Sequence, residues 1–141
     1  MNYKEYYINQ VNRRKKEYQL IKKLYLYLAK KYGNKHFAKL YSFTVSDIDS
    51  TCTYIEKRII NFNPLQIKKL SKTGQFYNYY SKRANILYPY KYRKALYIIA
   101  ILHEIYHAKQ RLYNKEFIKT EELQADRFAI DRVKLELQKV S

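Results

Sequence analysis

The sequence predicts an α+β fold in which helical segments enclose a strand-rich middle. Apolar residues recur at helical spacing in the first 34 residues and again in the last third of the chain. Between them lie aromatic and β-branched stretches of strand length. A chain of 141 residues that is 47% hydrophobic is long enough to bury a core, so we expect residues 1–141 to form a single domain.

The N-terminal element is predicted to be a basic helix within residues 1–34. Four apolar residues share one face at the i, i+3, i+4, i+7 spacing, namely Ile21, Leu24, Tyr25 and Leu28. Gly33-Asn34 is typical of a helix C-terminus. The lysines and arginines at positions 13–16, 22 and 23 are predicted to form its solvated face, and the alternative is a contact with nucleic acid.

Residues 37–90 are predicted to form a sheet and loop region. The segment 37–45 is aromatic and β-branched enough for a short strand, and a stronger strand is predicted from about Thr53 to Phe62. Asn63-Pro64 is typical of a helix N-cap followed by the first helical residue, and Gly74 is the predicted stop. Residues 75–90 are rich in tyrosine and allow a strand, an ordered loop or both.

Two helices are predicted to complete the chain, at residues 91–113 and 120–139. The first contains the apolar run Ala95 to Leu102, which favours burial on nearly every face. The second has Thr120 as its N-cap, and Glu121-Glu122 lie in its first turn, where the helix dipole favours anions. Its predicted packing residues are Leu123, Ala129, Val133 and Leu137.

The net charge of +17 has two interpretations. A basic surface can bind nucleic acid, an anionic membrane or an acidic protein. Lysine outnumbers arginine, however, and no arginine-rich or RNP-like motif is present, which favours compositional bias and solubility. Seven of the twelve acidic residues lie at or after Glu104, so residues 1–103 carry most of the positive excess.

The sequence predicts a cytoplasmic protein without a membrane span. The longest strongly apolar run has eight residues, which is too short to cross a bilayer. The N-terminal residues are too polar and charged for a secretory signal. Cys52 is the only cysteine, so no intramolecular disulfide can form, and this favours a reducing compartment.

The motif HEIYH at residues 103–107 predicts a metal site. His103 and His107 are four residues apart and share one helix face, so both imidazoles can reach one Zn²⁺ ion. Glu104 lies about a quarter turn away, where it can act as general base toward a water that zinc activates. An isolated histidine in an apolar helix is usually an ordinary core residue, but burying three polar groups without partners is costly.

The last helix is predicted to supply the third ligand. Glu122, fifteen residues beyond His107, is the predicted ligand, and Glu121, about 100° away on the helix, is the alternative. Asp126 lies one turn after Glu122, where it can accept a hydrogen bond from the far nitrogen of a ligating histidine and fix its tautomer. The small Ala129 allows the two helices to approach closely.

These motifs resemble those of the glutamate-type zincins, or gluzincins. HEIYH followed by ELQADRFA at residues 122–129 is similar to their HExxH motif and downstream E-x-x-A-D/N-x-F-A helix. The short spacing is most like that of ImmA/IrrE-like metallopeptidases and minimal gluzincins, and RIINFNP at residues 58–64 more distantly resembles SprT-like zincins. The resemblance covers roughly residues 53–133. The sequence departs from the family pattern at Tyr106, where ImmA-like proteins usually have glycine, and again after Ala129.

The resemblance implies a zincin-like fold, with a small twisted sheet packed on the N-terminal helix and the HExxH helix, and a C-terminal helix carrying the third ligand. It implies that His103, His107 and Glu122 bind zinc. Glu104 would be general base and then proton donor to the leaving amine, with Asp126 supporting a histidine. The implied activity is that of a zinc metalloendopeptidase whose protein or peptide substrate lies along the edge strand, and an acidic substrate would suit the basic surface.

Two other functions are compatible with the sequence. One is a zinc-stapled structural or interaction component of a phage or mobile element, assembled into a larger complex or particle in a bacterial host cell. The other, weaker one is nucleic-acid binding through the N-terminal helix and segment 75–94. Five tyrosines are candidates for stabilising a tetrahedral oxyanion, and the sequence does not rank them: Tyr77, Tyr79, Tyr80, Tyr88 and Tyr90.

Overall fold

The computed structural model describes residues 2–33, 37–47, 50–54, 56–73, 93–113, 116 and 118–138. The elements are, in chain order, α1 (Tyr3–Tyr32), α2 (Phe37–Leu40), β1 (Ser42–Val45), β2 (Cys52–Tyr54), β3 (Ile59–Phe62), α3 (Pro64–Thr73), α4 (Arg93–Leu112) and α5 (Glu121–Gln138). The predicted α+β class is therefore confirmed. The tyrosine-rich segment 75–90 lies outside the described residues.

Helix α1 has the ends that the sequence predicts. The side chain of Asn2 accepts a hydrogen bond from the backbone N–H of Glu5 at 2.9 Å, which caps the first turn. At the other end the N–H of Gly33 donates to the carbonyl of Ala29 at 3.0 Å. The predicted core face is buried at Ile21, Tyr25 and Leu28, and the basic residues at positions 13–16, 22 and 23 are exposed, as expected for a solvated face.

A buried carboxylate joins the C-terminal half of α1 to the C-terminal half of α5. Glu136 accepts hydrogen bonds from Tyr27 at 2.8 Å and Lys31 at 2.7 Å, and a third from the hydroxyl of Tyr32. Burial alone would raise the pKa of Glu136, but the three donors stabilise the charged form and lower its pKa. Helix α5 is thus fixed to α1 as well as to α4.

The predicted strand at residues 37–45 is wrong in its first half. Residues 37–40 form the short helix α2, and only Ser42–Val45 form a strand. Phe37 and Tyr41 are i, i+4 neighbours, and a helical turn places both rings in the core, stacked with centroids 5.3 Å apart. In an extended backbone residues 37 and 41 would be about 13 Å apart, too far for their rings to stack.

The single strand predicted from Thr53 to Phe62 is instead a β-hairpin. Strands β2 and β3 are antiparallel, with Thr53 opposite Ile60. The turn contains three charged residues at positions 56–58, and Arg58 has a left-handed backbone with φ of 52°. Because a straight strand would carry this charged run through the sheet, reversing the chain keeps it at the surface, where all three residues are exposed.

The three strands form a mixed sheet in the order β1-β3-β2. Strand β1 is parallel to the central strand β3, and β2 is an edge strand of this sheet. Ile60 and Phe62 on β3 are buried, and the Phe62 ring meets Tyr97 of α4 edge-on at 5.2 Å between centroids. The sheet therefore packs on α4, which also contacts α1, α3 and α5.

The remaining helices follow the predicted boundaries closely. In α3 the predicted cap is present, since Asn63 Oδ1 accepts from the N–H of Gln66 at 3.0 Å. In α5, Ala129 and Val133 are buried as predicted, but Leu123 is 47% exposed, so its predicted packing role is wrong. Among the described residues, each helix is too short or too polar to traverse a lipid bilayer.

Candidate metal centre

The candidate centre begins where the most buried helix changes from apolar to polar. Residues 95–102 of α4 are buried and pack in the core. The next two residues, His103 and Glu104, remain buried at 1% and 5% exposure, and His107 follows one turn later. Such burial of polar side chains is costly unless each has a partner, and the partners come from α5 and β2.

Helix α5 lies close against α4 because small residues face each other. Ala108 of α4 and both Ala125 and Ala129 of α5 are fully buried. This close packing, predicted for Ala129, brings the first two turns of α5 beside the histidines. Glu122 and Asp126, four residues apart, share the face that meets α4.

Three predicted ligands converge on one point. His103 Nε2 and His107 Nε2 are 3.1 Å apart. The two carboxylate oxygens of Glu122 lie 3.0 Å from His103 Nε2 and 3.1 Å from His107 Nε2. These three side chains are a group that can hold a metal ion. The Glu122 side chain is 53% exposed, so one side of the cluster opens to solvent.

The other nitrogen of each imidazole is held by a second carboxylate. His103 Nδ1 lies 3.0 Å from Asp126 Oδ1, which is the contact predicted for Asp126. His107 Nδ1 lies 2.6 Å from Glu121 Oε2. Since an ionised carboxylate can only accept, a proton on each Nδ1 makes this hydrogen bond, and the Nε2 atom of each ring is directed into the cluster. This is the arrangement that orients metal-binding histidines.

Glu121 therefore lies on the far side of His107 from the cluster, and does not occupy the ligand position considered for it. It is 2% exposed and its carboxylate also pairs with Arg111, at 2.6 and 2.7 Å from one guanidinium nitrogen. Arg111 lies one turn after His107 on α4. The pair compensates the buried charge of Glu121 and fixes the carboxylate that orients His107.

The electrostatics of the cluster favour a bound cation. Two Nε2 lone pairs and a carboxylate about 3 Å apart repel one another unless a positive charge lies between them. Burial by itself would lower the pKa of His103, but its hydrogen bonds to Asp126 and Glu122 outweigh burial and raise the pKa to about 9. The same hydrogen bond from His103 lowers the pKa of Glu122. A proton or a metal ion therefore balances the cluster.

The donor set fits zinc. A tetrahedral zinc ion with bonds of about 2.0 Å separates its ligand atoms by about 3.3 Å. The two Nε2 atoms are 3.1 Å apart, within a few tenths of that value, and Glu122 places one oxygen 3.0 Å from the first and its other oxygen 3.1 Å from the second. Two imidazoles and one carboxylate suit zinc and similar transition metals, whereas calcium and magnesium prefer oxygen ligands.

Glu104 lies beside the cluster, but it is not one of the three residues that can hold the metal ion. Its Oε2 accepts a hydrogen bond of 2.7 Å from the hydroxyl of Thr53 on β2. Burial raises the pKa of Glu104, and the opposing interactions with His103 and His107 show that the carboxylate lies within electrostatic range of both. A buried carboxylate with a raised pKa is suited to accept and return a proton.

Sequence reasoning considered Glu121 only as an alternative ligand, and it assigned no role to Arg111 or Thr53. A signal existed for Arg111, because it lies four residues after His107 and thus on the same helix face. Thr53 had no such signal, since its role depends on how β2 packs against α4. The five candidate tyrosines between Tyr77 and Tyr90 lie outside the described residues.

Comparison of the chain with protein-family models, with curated proteins and with solved structures finds no match. The functional assignment therefore depends on the geometry and chemistry of the site.

Proposed function

We propose that the protein is a zinc-dependent metallopeptidase with a zincin-like fold of the gluzincin type. The observation that carries the proposal is the convergence of His103, His107 and Glu122 beside a buried glutamate that is not itself a ligand. A structural zinc site almost always has four protein ligands, and it needs no general base. Here three protein ligands converge among the described residues, one of them the exposed Glu122, and Glu104 lies beside them.

Each side chain has a distinct part in the proposed reaction. His103, His107 and Glu122 would hold the metal, and Asp126 and Glu121 would keep both imidazoles oriented toward it. When bound, Zn²⁺ supplies Lewis acidity, which lowers the pKa of a water molecule and polarises the scissile carbonyl. Glu104 accepts the proton of the attacking water and returns it to the leaving amine, a role that its burial and raised pKa support.

The sheet supplies a surface for an extended substrate. Strand β2 is an edge strand of the described sheet and contacts α4, on which the histidines lie. A peptide that pairs antiparallel with β2 would satisfy the backbone groups of that edge. The exposed lysines and arginines of α1 and the net charge of +17 would favour an acidic substrate protein.

The test combines metal analysis with proteolysis. Wild type and Glu104→Gln are each expected to bind one zinc ion per chain, whereas His103→Ala and Glu122→Ala lose it. Wild type is expected to cleave members of a broad peptide library, and Glu104→Gln to do so about 10²- to 10⁴-fold more slowly, the usual contribution of a general base. Glu56→Gln is the matched control, since Glu56 is exposed in the β2–β3 turn.

The experiment distinguishes a failure of metal binding from a failure of catalysis. Wild-type protein that binds no zinc after refolding with the metal would refute the metal site. Stoichiometric zinc in wild type and Glu104→Gln, with cleavage in neither, would refute catalysis and leave zinc as a structural staple.

A further inference from the structure

Thr53 connects the edge strand to the proposed general base. Its hydroxyl oxygen lies 2.7 Å from Oε2 of Glu104 and 3.3 Å from the backbone carbonyl oxygen of the same residue. A threonine hydroxyl has one proton to donate, and the shorter contact to the carboxylate is the stronger of the two. The stronger hydrogen bond therefore joins Thr53 on β2 to the carboxylate of Glu104.

This bond restricts the conformation of Glu104. A glutamate side chain has several rotatable bonds, and a general base acts only within hydrogen-bond reach of the proton that it abstracts. Donation from Thr53 occupies Oε2 and leaves Oε1 as the oxygen that can take the proton. In the sheet register Thr53 is opposite Ile60, which is 1% exposed, so β2 is paired at this position with a core residue of the central strand β3.

We infer that Thr53 is a positioning residue for Glu104, and that the strand proposed to bind the substrate also sets the orientation of the base. The inference rests on the proposed peptidase function. It assigns the hydroxyl of Thr53 no contact with substrate or metal. Its effect is on the rate of the chemical step rather than on substrate binding.

The experiment compares zinc-loaded variants on a peptide that wild type cleaves. Thr53→Val is nearly isosteric and removes the donor, so kcat is expected to fall about 10- to 100-fold, the range for losing one hydrogen bond to a charged group. KM and zinc content are expected to stay at wild-type values. Thr53→Ser keeps the hydroxyl and is expected to restore kcat to within about threefold of wild type.

Thr44→Val is the matched control. Thr44 lies on β1, and its hydroxyl donates to Asn61 at 2.8 Å instead of to Glu104. The substitution therefore removes a comparable hydrogen bond from the same sheet, and kcat is expected to stay close to that of wild type. If Thr53→Val does not fold, as judged by circular dichroism, Thr53→Ala replaces it, with the same expected fall in kcat.

If the wild type cleaves peptide, three results would overturn the inference about Thr53 and leave the proposed function intact. They are an unchanged kcat in Thr53→Val, a change confined to KM, and a Thr53→Ser variant as slow as Thr53→Val. A zinc-loaded wild type without peptidase activity would overturn the proposed function and this inference together.

Discussion

Replacing Asp126 tests whether the outer carboxylate contributes to metal binding. Asp126 Oδ1 lies 3.0 Å from His103 Nδ1, and both residues are buried, at 5% and 1% exposure. Water therefore has little access to replace the lost partner. Asp126→Asn keeps the size and an acceptor oxygen but removes the charge, whereas Asp126→Ala removes the partner altogether.

The expected loss of zinc affinity follows from the kind of hydrogen bond that is removed. A bond to a charged group contributes about 1.5–3 kcal/mol, and about 1.4 kcal/mol corresponds to a tenfold change in an equilibrium constant. The zinc Kd should therefore rise about 10- to 100-fold, which agrees with the usual effect of losing such a partner. The rise in zinc Kd is expected to be near tenfold for Asp126→Asn and near 100-fold for Asp126→Ala.

The assay is competition for zinc with a chromophoric chelator at fixed pH and ionic strength. Asp131→Asn is the matched control, because Asp131 is on the same helix and exposed. It should bind zinc as tightly as wild type. An Asp126→Ala variant with a Kd within twofold of wild type would refute the reasoning, because the buried bond would then contribute nothing to ligation.

Three other perturbations test the surroundings of the centre. Removing either partner of the buried Arg111–Glu121 pair, by Arg111→Met or Glu121→Ala, should lower the free energy of unfolding by about 3–5 kcal/mol in urea titrations, and the double variant should lose less than the sum of the two. Because His103 has a raised pKa of about 9 in the metal-free protein, zinc must displace its proton. Apparent zinc affinity should thus rise about tenfold per pH unit from about pH 7 to 9 in chelator competition. The metal-free protein should lose stability over the range from pH 6.5 to about 9. Gly33→Ala would place a Cβ 2.5 Å from the carbonyl oxygen of Ala29, and a loss of about 1–3 kcal/mol is expected in the same titrations.

Each of these has a result that would contradict it. Strictly additive effects at Arg111 and Glu121 would show that the two side chains are not coupled. Zinc affinity that stays constant with pH would show that His103 does not hold the proton. A Gly33→Ala variant as stable as wild type would show that the end of α1 can shift at no cost.

The helices could be predicted from sequence because their signals are local. The apolar spacing of α1 and the caps at Asn63 and Gly33 each depend on residues within one or two turns. The same holds for the pairing of His103 with His107. For Glu122 and Asp126 the prediction needed only that two consecutive helices pack side by side, and small residues such as Ala129 favoured this.

The sheet was predicted less well because its signals are not local. The apolar content from Thr53 to Phe62 does not distinguish one strand from a hairpin, and the charged turn with Arg58 in a left-handed conformation decides between them. Likewise, the aromatic content at Phe37 and Tyr41 is compatible with a strand, and only the stacking of the two rings requires a helical turn. The contact of Thr53 with Glu104 forms only when β2 packs against α4, and this packing cannot be predicted from residue spacing in the sequence.

The hydrogen bonds of Tyr27 and Lys31 to Glu136 hold the C-terminal half of the helix that carries Glu122. Glu136 lies 14 residues after Glu122 on one helix, so the two are about 21 Å apart along the axis of α5. A tilt of α5 by about 5° about its Glu136 end would displace Glu122 by about 2 Å over that length. Ligand distances tolerate only about 0.2 Å. Substitutions at Tyr27 and Lys31 should therefore alter metal affinity by changing the orientation of α5.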